Sequence, residues 1–266
     1  MASEFVGNST ALSEAGLAEA TRRLAVGAAE IWAVLDVETS GCGFLPDRRP
    51  LILFERHVFW RLTGGRFGIS DVSNPDPGGY GAGGAHQYDR LQNAMALDRT
   101  AALQSASWGL PQIMGENAAL VGFGDIESMV ESMCDSEDDQ LAAFVEFLQA
   151  NDLDRFLQAH QWKPFAKVYN GPDFAKNQYD IKLAAAFAKN SAGPLPDLDV
   201  RAAQLYLTYA GFQPGPVDGI MGNKTRNALT AFQKQQGLPV TGAADSATMA
   251  ALMSVALGWK REAESA

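Results

Sequence analysis

Three histidines and two cysteines in 266 residues, all scattered, leave little with which to hold a metal. No H-E-x-x-H and no C-x-x-C occurs, so neither a metal site nor a cofactor is assigned. Cys42 and Cys134 are too few for a disulfide framework and are expected as free thiols. Long apolar runs are also missing. Nothing approaches the roughly 20 residues needed to span a bilayer, so no membrane anchor is expected. The first residues, MASEFVGNSTALSEAG, lack a basic stretch followed by an apolar one. No signal peptide is therefore expected, and synthesis is expected in the cytosol. Positive charge is short as well: 21 Lys and Arg face 31 Asp and Glu, a net charge of −10. Nucleic-acid binding needs a basic footprint, and none is visible. The GGYGAGG at 78–84 has no Lys-Ser or Lys-Thr behind it. It fails as a phosphate-binding loop and reads as a flexible surface loop.

What the chain does have is an ordinary globular composition, 47% hydrophobic and 20% charged, with enough apolar residues for a sizeable core. The acids are uneven. Residues 125–154 hold ten Asp and Glu and no Lys or Arg. That stretch reads as the solvated face of two or three helices. The sharpest change of texture falls at AKNSAGPLPDLDV, residues 188–200, a linker by its prolines, glycine and small polar residues. It divides the chain into residues 1–190, a joint at 191–198, and a compact unit at 199–266.

The C-terminal unit repeats itself. PVDGIMGNKTRNAL (216–229) and PVTGAADSATMAAL (239–252) share Pro, Val, Gly, Thr, Ala and Leu at one constant offset. Each copy reads as a glycine turn followed by a helix, with Ala228, Leu229 and Phe232 spaced as one buried face. A helix over 200–210 is predicted to precede them, capped by Asp199 and stopped by Gly211. Three short helices result. Before the joint the patterns are also helical: 13–38 as one helix or two, then 125–134, 139–150, 152–161 and 178–189. LILF at 51–54 is the best strand. The fold class is therefore mainly α, with one short strand or hairpin.

The stretch VLDVETSGCGFLPDRRPLILFERH (34–57) sets two glutamates in apolar sequence, a costly arrangement for a carboxylate. On a helix ending near residue 38, Ile31, Val34, Leu35 and Glu38 stand at i, i+3, i+4 and i+7. Glu38 thus continues the core-facing stripe and meets a turn permitted by Gly41 and Gly43. Desolvation there raises a carboxyl pKa, the property a general acid needs near neutral pH. Glu55 shares a face with Leu51 and Leu53 if the segment is a strand, and with Val58, Phe59 and Leu62 if a helix starts there. Paired carboxylates in a half-buried cleft equip a chain for glycoside hydrolysis. A structural role for either glutamate, paired with Arg56 or Arg61 in the case of Glu55, is the competing reading.

Two further stretches carry a resemblance. Glu38-Thr39, then Ser107-Trp108-Gly109-Leu110-Pro111-Gln112, then Tyr169-Asn170-Gly171 resemble the lysozyme superfamily of goose-type lysozymes and soluble lytic transglycosylases. Residues 20–190 are most similar to the N-acetylmuramidase domain of phage endolysins. Thr39 and Cys42 depart from that pattern, where a Ser and a small or basic residue are expected. The resemblance implies a lysozyme-like fold, Glu38 as general acid, and Glu55 as general base or as stabiliser of the sugar cation. It implies that Gln112 and Tyr169 hold the sugar or the glutamate, and that Ser107 and Asn170 fix loop geometry. Trp60 and Trp108 could stack on sugars or be buried in the core. The C-terminal AQLYLTYAGFQPGPVDGIMGNKTRNALTAFQKQQGL resembles the peptidoglycan-binding domain of cell-wall hydrolases. Its acids and bases nearly balance, so wall binding would rest on shape and hydrogen bonds. The implied protein is a monomeric endolysin that cuts bacterial peptidoglycan and reaches the wall through a separate holin-type pore. The alternatives are a lytic transglycosylase and a wall-binding protein without catalysis.

Overall fold

Residues 13–38 form two helices, α1 (Glu14–Leu24) and α2 (Ala28–Glu38). They part because Ala25 takes a left-handed backbone (φ 52°), letting its N–H and that of Val26 close off the carbonyls of Arg22 and Thr21. Ser13 caps α1 by accepting from Gly16 N. The computed structural model describes residues 4–38 and 41–263; Thr39, part of the resemblance above, lies outside them.

The LILF segment supplies strand β1 (Ile52–Phe54), and α3 (Arg56–Leu62) follows at once. After the glycine-rich segment come α4 (His86–Met95) and α5 (Arg99–Gln104). Two more strands, β2 (Ala106–Trp108) and β3 (Ile113–Met114), complete a three-stranded antiparallel sheet in the order β1-β2-β3, with Leu53 opposite Ser107 and Ser107 opposite Met114. The sequence offered one short strand, LILF, as its best candidate. The other two are too short for period-two alternation to register. Then come α6 (Ile126–Asp135), α7 (Glu137–Ala150), α8 (Asp154–Gln158), α9 (Trp162–Tyr169) and α10 (Tyr179–Ala192). Helix α2 packs chiefly along α10, and α1 along α7. Their shared core includes Leu24, Ile31, Leu35, Phe144, Leu148 and Leu183.

The acidic run 125–154 is only in part a solvated face. Asp125 caps α6. Asp138 accepts from the backbone N and hydroxyl of Ser13 at 2.8 and 2.6 Å, and Glu137 is wholly buried. These acids fasten residues 5–13 along the start of α7, where Thr10 pairs with Ser136 as a parallel bridge. Glu127 and Glu146 pair outward with Arg99 and Arg23.

Beyond the joint lie α11 (Leu198–Tyr209), α12 (Asn223–Gln235) and α13 (Ser246–Ala263). The N-cap of α11 is Asp197, accepting from Val200 N, and not Asp199, which sits in the first turn. The helix begins two residues earlier than predicted because Asp197 follows Pro196, whose fixed φ suits the turn into a helix. Gly211, with φ 83°, ends it as expected.

The internal repeat has a structural cause. In each copy a buried glutamine reaches across to hold the glycine turn. Gln204 accepts from Asp218 N and Gly219 N and donates to Thr225 Oγ1. Gln233 accepts from Thr241 N and Gly242 N and donates to Thr248 Oγ1. Gly219 and Gly242 both have positive φ, which the turn needs. The repeated Pro, Gly and Thr therefore build turns.

This second core does not close on itself. Ala11 and Phe44 from the first part of the chain are buried among Leu205, Leu207, Leu229 and Phe232. Tyr209 donates to Ser9 O, Ala11 N donates to the Tyr206 hydroxyl, and Arg48 donates to Ala256 O.

Candidate active site

Helix α2 ends at Glu38, and its buried face is the predicted stripe: Ile31, Val34 and Leu35 are fully buried. Glu38 sits at the rim of that stripe, half-buried, and faces α9 and α10. Asn170 Nδ2 donates to Glu38 Oε1 at 2.9 Å. Burial pushes the Glu38 carboxyl up from 4.5 to about 7, and the Asn170 hydrogen bond and the nearby Lys182 only partly oppose it. A carboxyl group so placed still holds its proton for a substantial fraction of the time near neutral pH and can give it away.

Glu55 occupies the junction between β1 and α3. Its backbone N donates to Ser105 O at 2.8 Å, and its carbonyl starts the helix. It stands at the N-cap of α3, yet its side chain caps nothing. The side chain instead shares the strand face of Leu53 and turns into the cleft. Of the two sequence alternatives the strand face is therefore the realised one, because Val58 and Phe59 point into the core. Burial raises the Glu55 carboxyl, offset by His57, Tyr80 and Arg90. Glu55 Oε2 lies 3.1 Å from His57 Nδ1, an ion pair when the imidazole is protonated, and both atoms are buried.

The two glutamates line one cleft of about 360 Å³, and the other four predicted residues, Ser107, Gln112, Tyr169 and Asn170, line it with them. Their contacts differ from the expected ones. Gln112, at a left-handed φ of 55°, donates to Gly109 O (2.8 Å) and Leu51 O (3.2 Å) and accepts from the Ser107 hydroxyl (2.8 Å). It staples the β2–β3 hairpin. The Tyr169 hydroxyl donates to Pro111 O at 2.6 Å, so it buttresses the same hairpin. Asn170, expected to shape a loop, is the residue that touches Glu38, and its Oδ1 is buried without a partner. Trp108 is core, fully buried with its indole N–H on Leu103 O, and Trp60 packs under Gly65. Neither lines the cleft.

Two tyrosines near the glutamates escaped the sequence reading. Tyr179, at the start of α10, lines the cleft, and burial and then Glu38 raise its phenol. Tyr80 reaches Glu55 from the glycine-rich segment, within hydrogen-bonding range. Its carbonyl is gripped by Gln87 Nε2 (2.7 Å) and Arg90 Nη1 (3.0 Å). Gly79 beside it has φ 66° and lies so close to the Arg56 guanidinium that a Cβ would clash. The lone aromatic inside GGYGAGG was the available signal. Among the described residues no cluster of His, Cys, Asp or Glu is arranged to hold a metal ion.

The N-acetylmuramidase family matches residues 27–191, and a putative peptidoglycan-binding domain matches 196–252. The chain belongs to the N-acetylmuramidase family. Its structure is similar to the crystal structure of a Burkholderia AP3 phage endolysin, at a TM-score of 0.63 and 40% identity over 69% of this chain and 72% of that one. A shorter similarity, 32% identity over 68 residues, joins it to the localization factor PodJL of Caulobacter vibrioides; it takes in 26% of this chain and 7% of that protein. The muramidase domain is thus the one that holds both glutamates, and a peptidoglycan-binding domain follows it.

Proposed function

We propose that the protein is an endolysin that hydrolyses the β-1,4 bond between N-acetylmuramic acid and N-acetylglucosamine in bacterial peptidoglycan. The observation that carries this reading is the pair of unlike carboxyls on one cleft, Glu38 raised by burial to about 7 and Glu55 set beside His57. Glu38 gives its proton to the glycosidic oxygen. Asn170 Nδ2 and Lys182 then steady the carboxylate that remains. The Glu55 carboxylate takes a proton from the water that attacks the sugar carbon, or faces the developing sugar cation. Residues 1–190 cut, and residues 199–266 hold the wall, which raises the local substrate concentration. The enzyme works as a monomer. It is made in the host cytoplasm, and a separate pore-forming protein releases it to the wall at lysis; no helix among the described residues is long and apolar enough to cross a membrane.

Mass spectrometry of the soluble products from purified peptidoglycan tests the reading. Wild type is expected to release reducing fragments ending in N-acetylmuramic acid, and Glu38→Gln none. Anhydro-sugar ends would make the reaction transglycosylation. Binding without released sugar would remove catalysis altogether. Glu55→Gln separates the first two outcomes further: hydrolysis is expected to fall about 10²-fold or more, because water loses its base, whereas a transglycosylase needs no water and would keep near-full activity.

Tyr80→Phe is expected to act on the acid limb of the pH–rate profile. The tyrosine lowers the Glu55 pKa, so its removal raises it. A base with a higher pKa is protonated at higher pH, and the acid limb moves upward. An unmoved limb would place Tyr80 outside the machinery.

A further inference from the structure

Arg201, on the first helix of the peptidoglycan-binding domain, is wholly buried, and so is its partner Glu137 at the start of α7. Both guanidinium amino groups donate to the Glu137 carboxylate, Nη2 at 2.7 Å to Oε1. The remaining donor, Nε, reaches Gly41 O at 2.9 Å, and Nη2 shares that oxygen. Glu137 in turn accepts from Gly43 N at 2.7 Å and from Leu12 N at 2.8 Å. Gly41 and Gly43 stand three and five residues beyond Glu38. Gly43 itself is pressed against Leu110 N and the Gln140 amide, which leave no room for a Cβ, and its carbonyl accepts from Leu51 N. One buried guanidinium thus ties a second domain to the segment between the acid and the cleft hairpin.

A flexible tether needs none of this. Holding the wall requires an exposed binding face, and a buried ion pair is costly to desolvate and weak as a source of stability. Its best-attested use is to impose one arrangement on the groups around it. Here those groups are Gly41 and Gly43, three and five residues past Glu38.

We propose that Arg201 is a positioning residue for the muramidase reaction: through Glu137 and Gly41 the peptidoglycan-binding domain orients the segment that sets Glu38 in the cleft. The inference rests on Glu38 being the general acid. Docking of the second domain is then part of the active site's construction, and the chain works as one body instead of a blade on a string.

The test uses the full chain with Glu137→Met and Arg201→Met together, which removes both charges and leaves no isolated ion in the core. Three readings are taken: retention on purified sacculi, kcat and KM on soluble glycan strands, and the pH–rate profile. Retention is expected within about twofold of wild type, and KM within about threefold. The kcat is expected to fall at least about tenfold. The alkaline limb, set by Glu38 where it faces Lys182 and Tyr179 of α10 and Tyr169 of α9, is expected to move to lower pH as water reaches the carboxyl. A merely structural pair would lower the folded fraction and leave the limb in place. A folded double variant with wild-type kcat and an unmoved limb overturns the proposal. If the double variant does not fold, Arg201→Lys decides. Lysine keeps the charge on Glu137 but cannot span Glu137 and Gly41 together, so the same loss and the same limb shift are expected, and wild-type kinetics overturn it. Glu38→Gln runs beside both; activity in that variant would sink the assignment of Glu38 itself, whatever Arg201 does.

Discussion

Glu38→Gln is expected to lose cleavage by about 10²–10⁴-fold and, at the same time, to gain thermal stability above pH 7. Burial holds the Glu38 carboxyl at about 7 in the folded chain, against an ordinary value of 4.5. Below pH 4.5 both folded and unfolded chains keep the proton, and no stability is lost. Between 4.5 and 7 the unfolded chain ionises while the folded one still holds its proton, so stability falls as pH rises. Above 7 the loss is complete. The 2.5-unit difference sets an upper bound of about 3 kcal/mol, and exposure at the cleft rim reduces it to about 1–2 kcal/mol. Glutamine cannot ionise and keeps the acceptor oxygen that Asn170 Nδ2 bonds. Its melting temperature is therefore expected to exceed wild type by roughly 2–8 °C at pH 8 and to match it near pH 4. Paired thermal melts at the two pH values check this. Equal melting at pH 8 would mean that Glu38 is already solvated and not proton-bearing. Giving up stability to keep a proton is the trade the proposed general acid would demand.

Arg201→Met alone is expected to cost about 3–5 kcal/mol and to lower the melting temperature by roughly 10 °C or more. The reason is the partner. Glu137 would stay buried with only the amides of Gly43 and Leu12 for company, and a buried carboxylate without its cation either pays for desolvation or takes a proton. High salt would not mimic the loss, since screening does not reach a pair with no exposed surface. Circular dichroism melts at low and high salt check both parts. A change below about 1 kcal/mol would show that the pair contributes little beyond what methionine packing supplies. Stability and catalysis are read separately here: the single variant isolates a charge, and the double variant removes the pair and asks what the pair orients.

Much of the site was legible before any coordinates. Six residues picked from three distant stretches, Glu38, Glu55, Ser107, Gln112, Tyr169 and Asn170, line one cleft. Glu38 was readable because a helix stripe that ends in a carboxylate is a pattern of period 3.6, and such patterns survive in one dimension. Glu55 was readable as an acid in apolar company, although not which face it used. Contacts between elements were not readable. The swap by which Asn170 touches Glu38, while Tyr169 and Gln112 staple the hairpin, depends on how α9 meets β2 and β3. Tyr80 was hidden for the same reason: a residue in a glycine-rich segment has no periodicity to announce its direction.

What is local could be read along the chain alone. Helix faces, the glycine turns of the repeat, the composition break at 188–200 and the absence of a metal-binding motif all follow from spacing and residue type. The tertiary structure decided what those pieces do to one another. The ten acids of 125–154 looked like a solvated face because charge in a sequence carries no partner. Folding sorted them, sending Glu127 and Glu146 outward to arginines, spending Asp138 on Ser13, and burying Glu137 against Arg201, 64 residues away. Burial of a charge is settled by its long-range partner, and that partner is a matter of three dimensions.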